Sequence, residues 1–262
     1  MPRTSLTATA AANVVALILC LLLVATAPSI VLAAEIKVLC TLALQSAMRE
    51  LIPQFELSSG HKLTIEYGTV GGLADRIQKG EAADVAISAR RSITDLERQG
   101  RIVQGSSADI AKFGVGVFVR RGAPKPDIRS VEAFKQTLLA AKSIAHADPS
   151  RGGVTAVYVA GLLGRLDIAA EIKPRITIFP PGVYDTIVNG DVEIGFGGIS
   201  EIVADPRVEL VGPLPAAIQN YTLFAAGIVA SSKEQEAGKA LIRFISSPTA
   251  QVIMKAKGLE AP

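Results

Sequence analysis

From Glu35 onward the chain alternates short apolar runs with stretches whose apolar residues recur every three or four positions. Residues 36–39 read as a buried strand. Ala43, Leu44, Ala47, Leu51, Ile52 and Phe55 then follow at helical spacing. The segment 63–67 alternates as a strand does, 73–79 is helical, and Gly80 ends it. A strand at 84–88 leads to a helix at 93–99 that Gly100 stops. A strand at 114–119 closes on the turn Gly122-Ala123-Pro124. A helix at 131–141, with Ser130 as its N-cap, precedes a strand at 144–147 and a helix at 155–166. Segments 176–179, 183–189 and 193–196 repeat strand, helix, strand. A strand at 221–229 and amphipathic helices at 235–245 and 248–256 complete the chain.

This alternation predicts an α/β fold in two lobes, each a mainly parallel sheet flanked by helices. The expected division is 34–115 for the first part of lobe one, 116–215 for lobe two, and 216–262 as the return to lobe one. Two crossings between the lobes leave a cleft at their interface, where α/β proteins bind ligands.

Before Glu35 the pattern changes. Residues 1–34 carry one charge, Arg3, then an apolar run from Val14 to Val24 and a close of small residues through Ala33-Ala34. A positive start, a short apolar core and a small-residue close predict an export leader at 1–33. An uncleaved anchor is the alternative, because residues 14–34 are long enough to span a bilayer. Removal of the leader leaves Cys40 as the sole cysteine, so no intrachain disulfide is expected in the exported, periplasmic chain. Two cysteines and two histidines in 262 residues give no metal cluster, and no cofactor is expected. With no tryptophan, 5% aromatics and a net charge of +3, nothing marks a nucleic-acid groove.

The segments from Ile36 through Met48, from Tyr67 through Ile77 and from Gly80 through Ala89 resemble the periplasmic molybdate-binding proteins, and more broadly the type II periplasmic solute-binding fold. Ala147-Asp148-Pro149-Ser150 and Ile194-Gly195-Phe196 extend the resemblance over the chain. It implies lobes that close over a ligand, a monomer, and delivery of a small anion to an ABC-type permease. Such proteins hold their oxyanion with neutral donors, including serine hydroxyls in the first two binding loops. Ala43 and Val70 stand at the matching positions here, and the family's late tyrosine falls near Gly198. These departures point away from molybdate and, with an arginine standing where that pattern has neutral donors, toward an organic carboxylate. Some chains of this kind are instead isomerases of small tricarboxylic acids.

Strand ends and helix N-termini facing the cleft supply unpaired N–H groups to an anion. Four places qualify. Thr41-Leu42-Ala43 enters the first helix, with Thr41 as either a donor or an ordinary N-cap. Val70-Gly71-Gly72 places two glycines where backbone can approach a ligand. Arg151, Gly153 and Thr155 precede the helix at 155–166, and a guanidinium there matches a carboxylate in bidentate fashion. Gly152-Gly153 is not followed by Lys, so this is no phosphate-binding P-loop. Tyr184 and Ser200 flank the later strands, and Arg90 follows the strand at 84–88. His146, at a strand end, is the candidate base for an isomerase, with Tyr158 and Glu201 as weaker ones. His61, in a Gly60-His61-Lys62 turn, reads as a surface residue.

Overall fold

The computed structural model describes residues 33–180 and 184–262. The leader expected at 1–33 lies outside the described residues up to position 32, and the predicted helix start at residue 183 lies outside them too. Among the described residues nine strands form: β1 (Glu35–Thr41), β2 (Lys62–Gly68), β3 (Val85–Ala89), β4 (Ala108–Arg120), β5 (Ile144–Ala147), β6 (Ile176–Phe179), β7 (Ile194–Gly198), β8 (Val208–Pro213) and β9 (Tyr221–Ile228). The helices between them are α1 (Gln45–Ser59), α2 (Val70–Gln78), α3 (Arg90–Arg98), α4 (Val131–Ala140), α5 (Val154–Arg165), α6 (Ala169–Ile172), α7 (Asp185–Val188), α8 (Ile199–Ala204), α9 (Gln235–Ile245) and α10 (Pro248–Ala256). None of these is long and apolar enough to cross a membrane.

The strands lie in the order β2-β1-β3-β9-β4-β7-β5-β6, with β8 also paired to β4. Two parallel triplets, β2-β1-β3 and β6-β5-β7, form the outer part of each lobe. Each is built by strand–helix–strand connections, which leave successive strands parallel. The strands that join the lobes pair antiparallel instead. β4 belongs to both lobes. Its segment up to Gly114 pairs with β9, and from Val115 it pairs with β7. The chain crosses back just before β9, and there Gln219 clamps the first crossing. Its Oε1 accepts from Val115 N–H at 2.9 Å and its Nε2 donates to Val115 C=O at 3.0 Å.

β4 is 13 residues long, and the sequence pattern marks only its second half. Asp109 and Lys112 interrupt the apolar run. In the fold Asp109 pairs with Arg90, and the Lys112 backbone bridges to Glu260. α8 and β8, six residues each, are too short to show a period and were not expected. α2 starts at Val70, earlier than the periodicity indicates, because the Thr69 hydroxyl accepts from Gly72 N–H at 3.1 Å and caps it. Ser130 caps α4 in the same way, accepting from Ala133 N–H at 3.1 Å.

The core of lobe one packs Met48, Leu51 and Phe55 of α1 against β1, β3 and β9, and Leu241, Ile245 and Met254 of the last two helices join it. Lobe two centres on Val117, Phe134, Leu138, Val159, Leu162 and Phe196. Each fully buried side chain of this size contributes roughly 1.5–3 kcal/mol. His61 is only 5% exposed, against the surface position its turn suggests. Its Nδ1 accepts from Ala34 N–H at 3.1 Å and its ring lies 6.1 Å from that of Phe55. The entry to β1 covers the turn, a contact that no local pattern encodes.

Candidate functional site

Between the lobes lies a cleft with about 560 Å³ of space unfilled by atoms, part of it open to solvent. Lobe one supplies Thr41 at the end of β1, Leu42 and Ala43 after it, Thr69 and Val70 at the start of α2, and Phe113 from β4. Lobe two supplies His146 and Ala147 at the end of β5, Gly153 through Ala156 at the start of α5, and Val159. Phe179, Tyr184, Phe196, Gly197 and Glu201 close the floor. Strand ends and helix starts thus meet from both sides, as parallel strands with crossover helices require.

The polar groups of this cleft are neutral donors and two proton carriers. Thr41 is buried, and its side chain does not cap the turn that follows, so the hydroxyl is not spent locally. α5 begins without a side-chain cap, which leaves its first-turn N–H groups and the positive end of its dipole toward the cleft. The Tyr184 hydroxyl is buried without a hydrogen-bond partner, and burial, with Glu201 and Asp205 nearby, pushes its pKa well up.

His146 is 5% exposed, and its Nδ1 lies 2.8 Å from Ala147 C=O. A carbonyl only accepts, so Nδ1 carries the proton and a neutral ring keeps its lone pair on Nε2. Glu201 is half-buried, and burial pushes its carboxyl up to about 7 although Gly198 N–H donates to it at 3.3 Å. Loss of water around the carboxylate outweighs that one hydrogen bond.

Other expected residues have different employment. Gly71 and Gly152 bring backbone against backbone rather than against a ligand. Gly71 N–H donates to Gly152 C=O at 3.2 Å, and the Thr69 hydroxyl donates to Arg151 C=O at 2.6 Å. These bonds tie α2 of lobe one to the Pro149–Arg151 turn of lobe two. Gly72 N–H is taken by the Thr69 cap. Ser200 donates to Ala43 C=O at 2.8 Å, a third bond between the lobes. Arg90 binds Asp109 and Ser107 and does not reach the cleft. Arg151 is exposed and lines an outer groove with Tyr67, Gly72 and Asp75. The cleft lining therefore holds no arginine or lysine among the described residues. Sequence reasoning missed Phe113, because it lies in the unrecognised half of β4. It also ranked Glu201 low, because nothing local announces the burial of its carboxyl.

A mixed two-lobed sheet with a cleft at its strand ends is the architecture of the bilobal binding proteins. The family model described as bacterial extracellular solute-binding protein matches residues 36–260, and the chain belongs to that family. It is 32% identical over 233 residues to an aconitate isomerase of Pseudomonas sp, covering 86% of this chain and 87% of that protein. It is 28% identical over 232 residues to the molybdate-binding protein ModA of Azotobacter vinelandii, covering 86% and 90% of the two chains. The solved substrate-binding domain of a putative molybdenum ABC transporter from Clostridium difficile shares the fold. Its TM-score is 0.69 at 19% identity, covering 88% of this chain and all of that one.

Proposed function

We propose that the chain captures a small organic carboxylate in the cleft and presents it to an ABC-type permease outside the inner membrane. One observation carries this reading: the cleft is walled from both lobes, by the segment at the end of β1 and by the start of α5, whose first-turn N–H groups have no side-chain cap. The apolar N-terminal segment supports export to the periplasm, and similarity to a putative transporter's substrate-binding domain supports the permease. Ala43 and Val70 face the cleft without hydroxyls, and that of Thr69 is already bonded across the lobes. A tetrahedral oxyanion, with four oxygens to satisfy, therefore finds fewer hydroxyl donors on the first two loops, whereas a carboxylate has two oxygens that the amide donors and helix dipole at the start of α5 can hold. A thermal-shift series with molybdate, sulfate, and mono-, di- and tricarboxylates tests it. Carboxylates should raise the melting temperature and molybdate should not; a shift with molybdate alone would overturn the reading.

A second reading has its own support. His146 and Glu201 wall the same cleft, and the 32%-identical relative is an isomerase. The lone pair of His146 Nε2 can take a proton from a carbon beside a carboxylate, and protonated Glu201 can return one at another carbon. No cofactor is needed for such a shift. Proton NMR of tricarboxylates in D₂O decides this: exchange of carbon-bound hydrogen with the protein and not with His146→Gln establishes the isomerase, and no exchange leaves capture alone.

A further inference from the structure

A second pocket, with about 730 Å³ of partly open space, adjoins the cleft between α1 and α8. Leu42, Tyr184 and Glu201 wall both spaces, so the two are neighbours through shared side chains. On the α1 side Arg49 and Ser46 face this pocket. Arg49 is exposed and has no ion pair or hydrogen bond among the described residues. Arg207 lines the same pocket, but Asp205 and Asp185 hold it. The acidic side chains on the pocket are Glu201 and Asp205, and the charge of Asp205 is balanced by Arg207. Two hydroxyls on the wall are buried and without partners, Ser46 Oγ and Tyr184 OH, and Tyr184 is only 2% exposed. Leaving such donors unpaired is costly unless a ligand completes them.

We propose that this pocket is a second carboxylate subsite, with Arg49 as the charged contact and Ser46 and Tyr184 as neutral donors, so that the ligand is a di- or tricarboxylate spanning cleft and pocket. The proposal rests on the carboxylate reading above and narrows it. The division of labour follows from solvation. The cleft, without a cation in its lining, holds one carboxylate by amide and hydroxyl donors. The open pocket tolerates a guanidinium that stays hydrated when the ligand is absent. An unpaired guanidinium and two unbonded hydroxyls lining one pocket suit a planar carboxylate, which accepts a bidentate pair plus further hydrogen bonds.

Isothermal titration of butyrate, succinate and tricarballylate into the parent chain and into Arg49→Ala, Arg49→Lys and Ser46→Ala tests this. Tricarballylate should lose about ten- to a hundredfold in affinity with Arg49→Ala and part of that with Ser46→Ala, whereas butyrate should change by less than about threefold. Arg49→Lys should recover only part of the loss, because an ammonium does not present the fork. Arg49 is exposed, so the urea midpoints of its variants should match the parent and exclude misfolding as the cause. Equal tricarballylate affinity in parent and Arg49→Ala would overturn the subsite and leave the capture reading standing, as would equal losses for butyrate and tricarballylate. A parent chain that binds none of the three acids would overturn both.

Discussion

Glu201 is the residue at which local chemistry and the fold disagree most. It helps to seat the first turn of α8 by accepting from Gly198 N–H, yet burial raises its pKa from the ordinary 4.5 to about 7. Between those values the folded chain holds a proton that the unfolded chain has released. The associated stability is therefore fully present below about pH 4.5 and is lost progressively as the pH rises through about 7. Glu201→Gln keeps the shape and removes the titration. Urea midpoints at pH 5, 6, 7 and 8 should fall with pH in the parent more than in the variant, and above pH 7 the variant should be the more stable. Parallel curves for the two proteins would show that the carboxylate is solvated. The same proton makes Glu201 an acid near neutrality, in a cleft that His146 also lines. For transport alone, neither property is required.

Between elements, the contact of α2 with the Pro149–Arg151 turn is decisive. Gly152 has φ +70, and a Cβ there would lie 2.9 Å from Gly71 Cα. Both the left-handed backbone and the close approach exclude a side chain while the lobes touch. In an open arrangement only the backbone strain, roughly 1–3 kcal/mol, would remain. Gly152→Ala should therefore weaken carboxylate binding by about tenfold or more beyond what its loss of stability explains. Titration calorimetry beside a urea midpoint for each protein separates the two effects. An unchanged dissociation constant would mean that the bound state does not use this contact. Arg151 contributes to it through its carbonyl, not its guanidinium.

For the molecule as a whole, two crossings at Val115 and Gln219 tie the lobes at one end of the cleft, while the Thr69, Gly71 and Ser200 bonds cross between the lobes elsewhere. A ligand touching both lobes favours whichever arrangement brings them together. Small-angle scattering should show a smaller radius of gyration with saturating tricarboxylate than without it, and Thr69→Val should reduce the difference. At about 100 times its dissociation constant, the ligand should add roughly 2.7 kcal/mol of stability. In a chain of this size that raises the melting temperature by roughly 5–11 °C. A ligand that stabilises without compaction would place its site within one lobe.

The periodicity of apolar residues was enough to find most strands and the longer helices, because burial of one face is a local demand on sequence. Glycine stops and hydroxyl caps at Gly80, Gly100 and Ser130 were equally legible, for backbone reasons confined to a few residues. So were the segments that enter the cleft, since Thr41, Ala43, Val70, Gly153 and Thr155 stand where strands end and helices begin. What the tertiary structure decided is which side chains meet. Arg90 looked available, but Asp109, 19 residues later, occupies it. Ser200 looked like a ligand donor, but its hydroxyl donates to Ala43 C=O, 157 residues earlier. His61 is buried by Ala34, and Arg49 joins Tyr184 and Glu201 only because α1 and α8 face one another across the lobes. Such contacts depend on strand order and on two crossings far apart in the chain. A pattern read over ten or fifteen residues carries no record of them, whereas the folded chain brings them together.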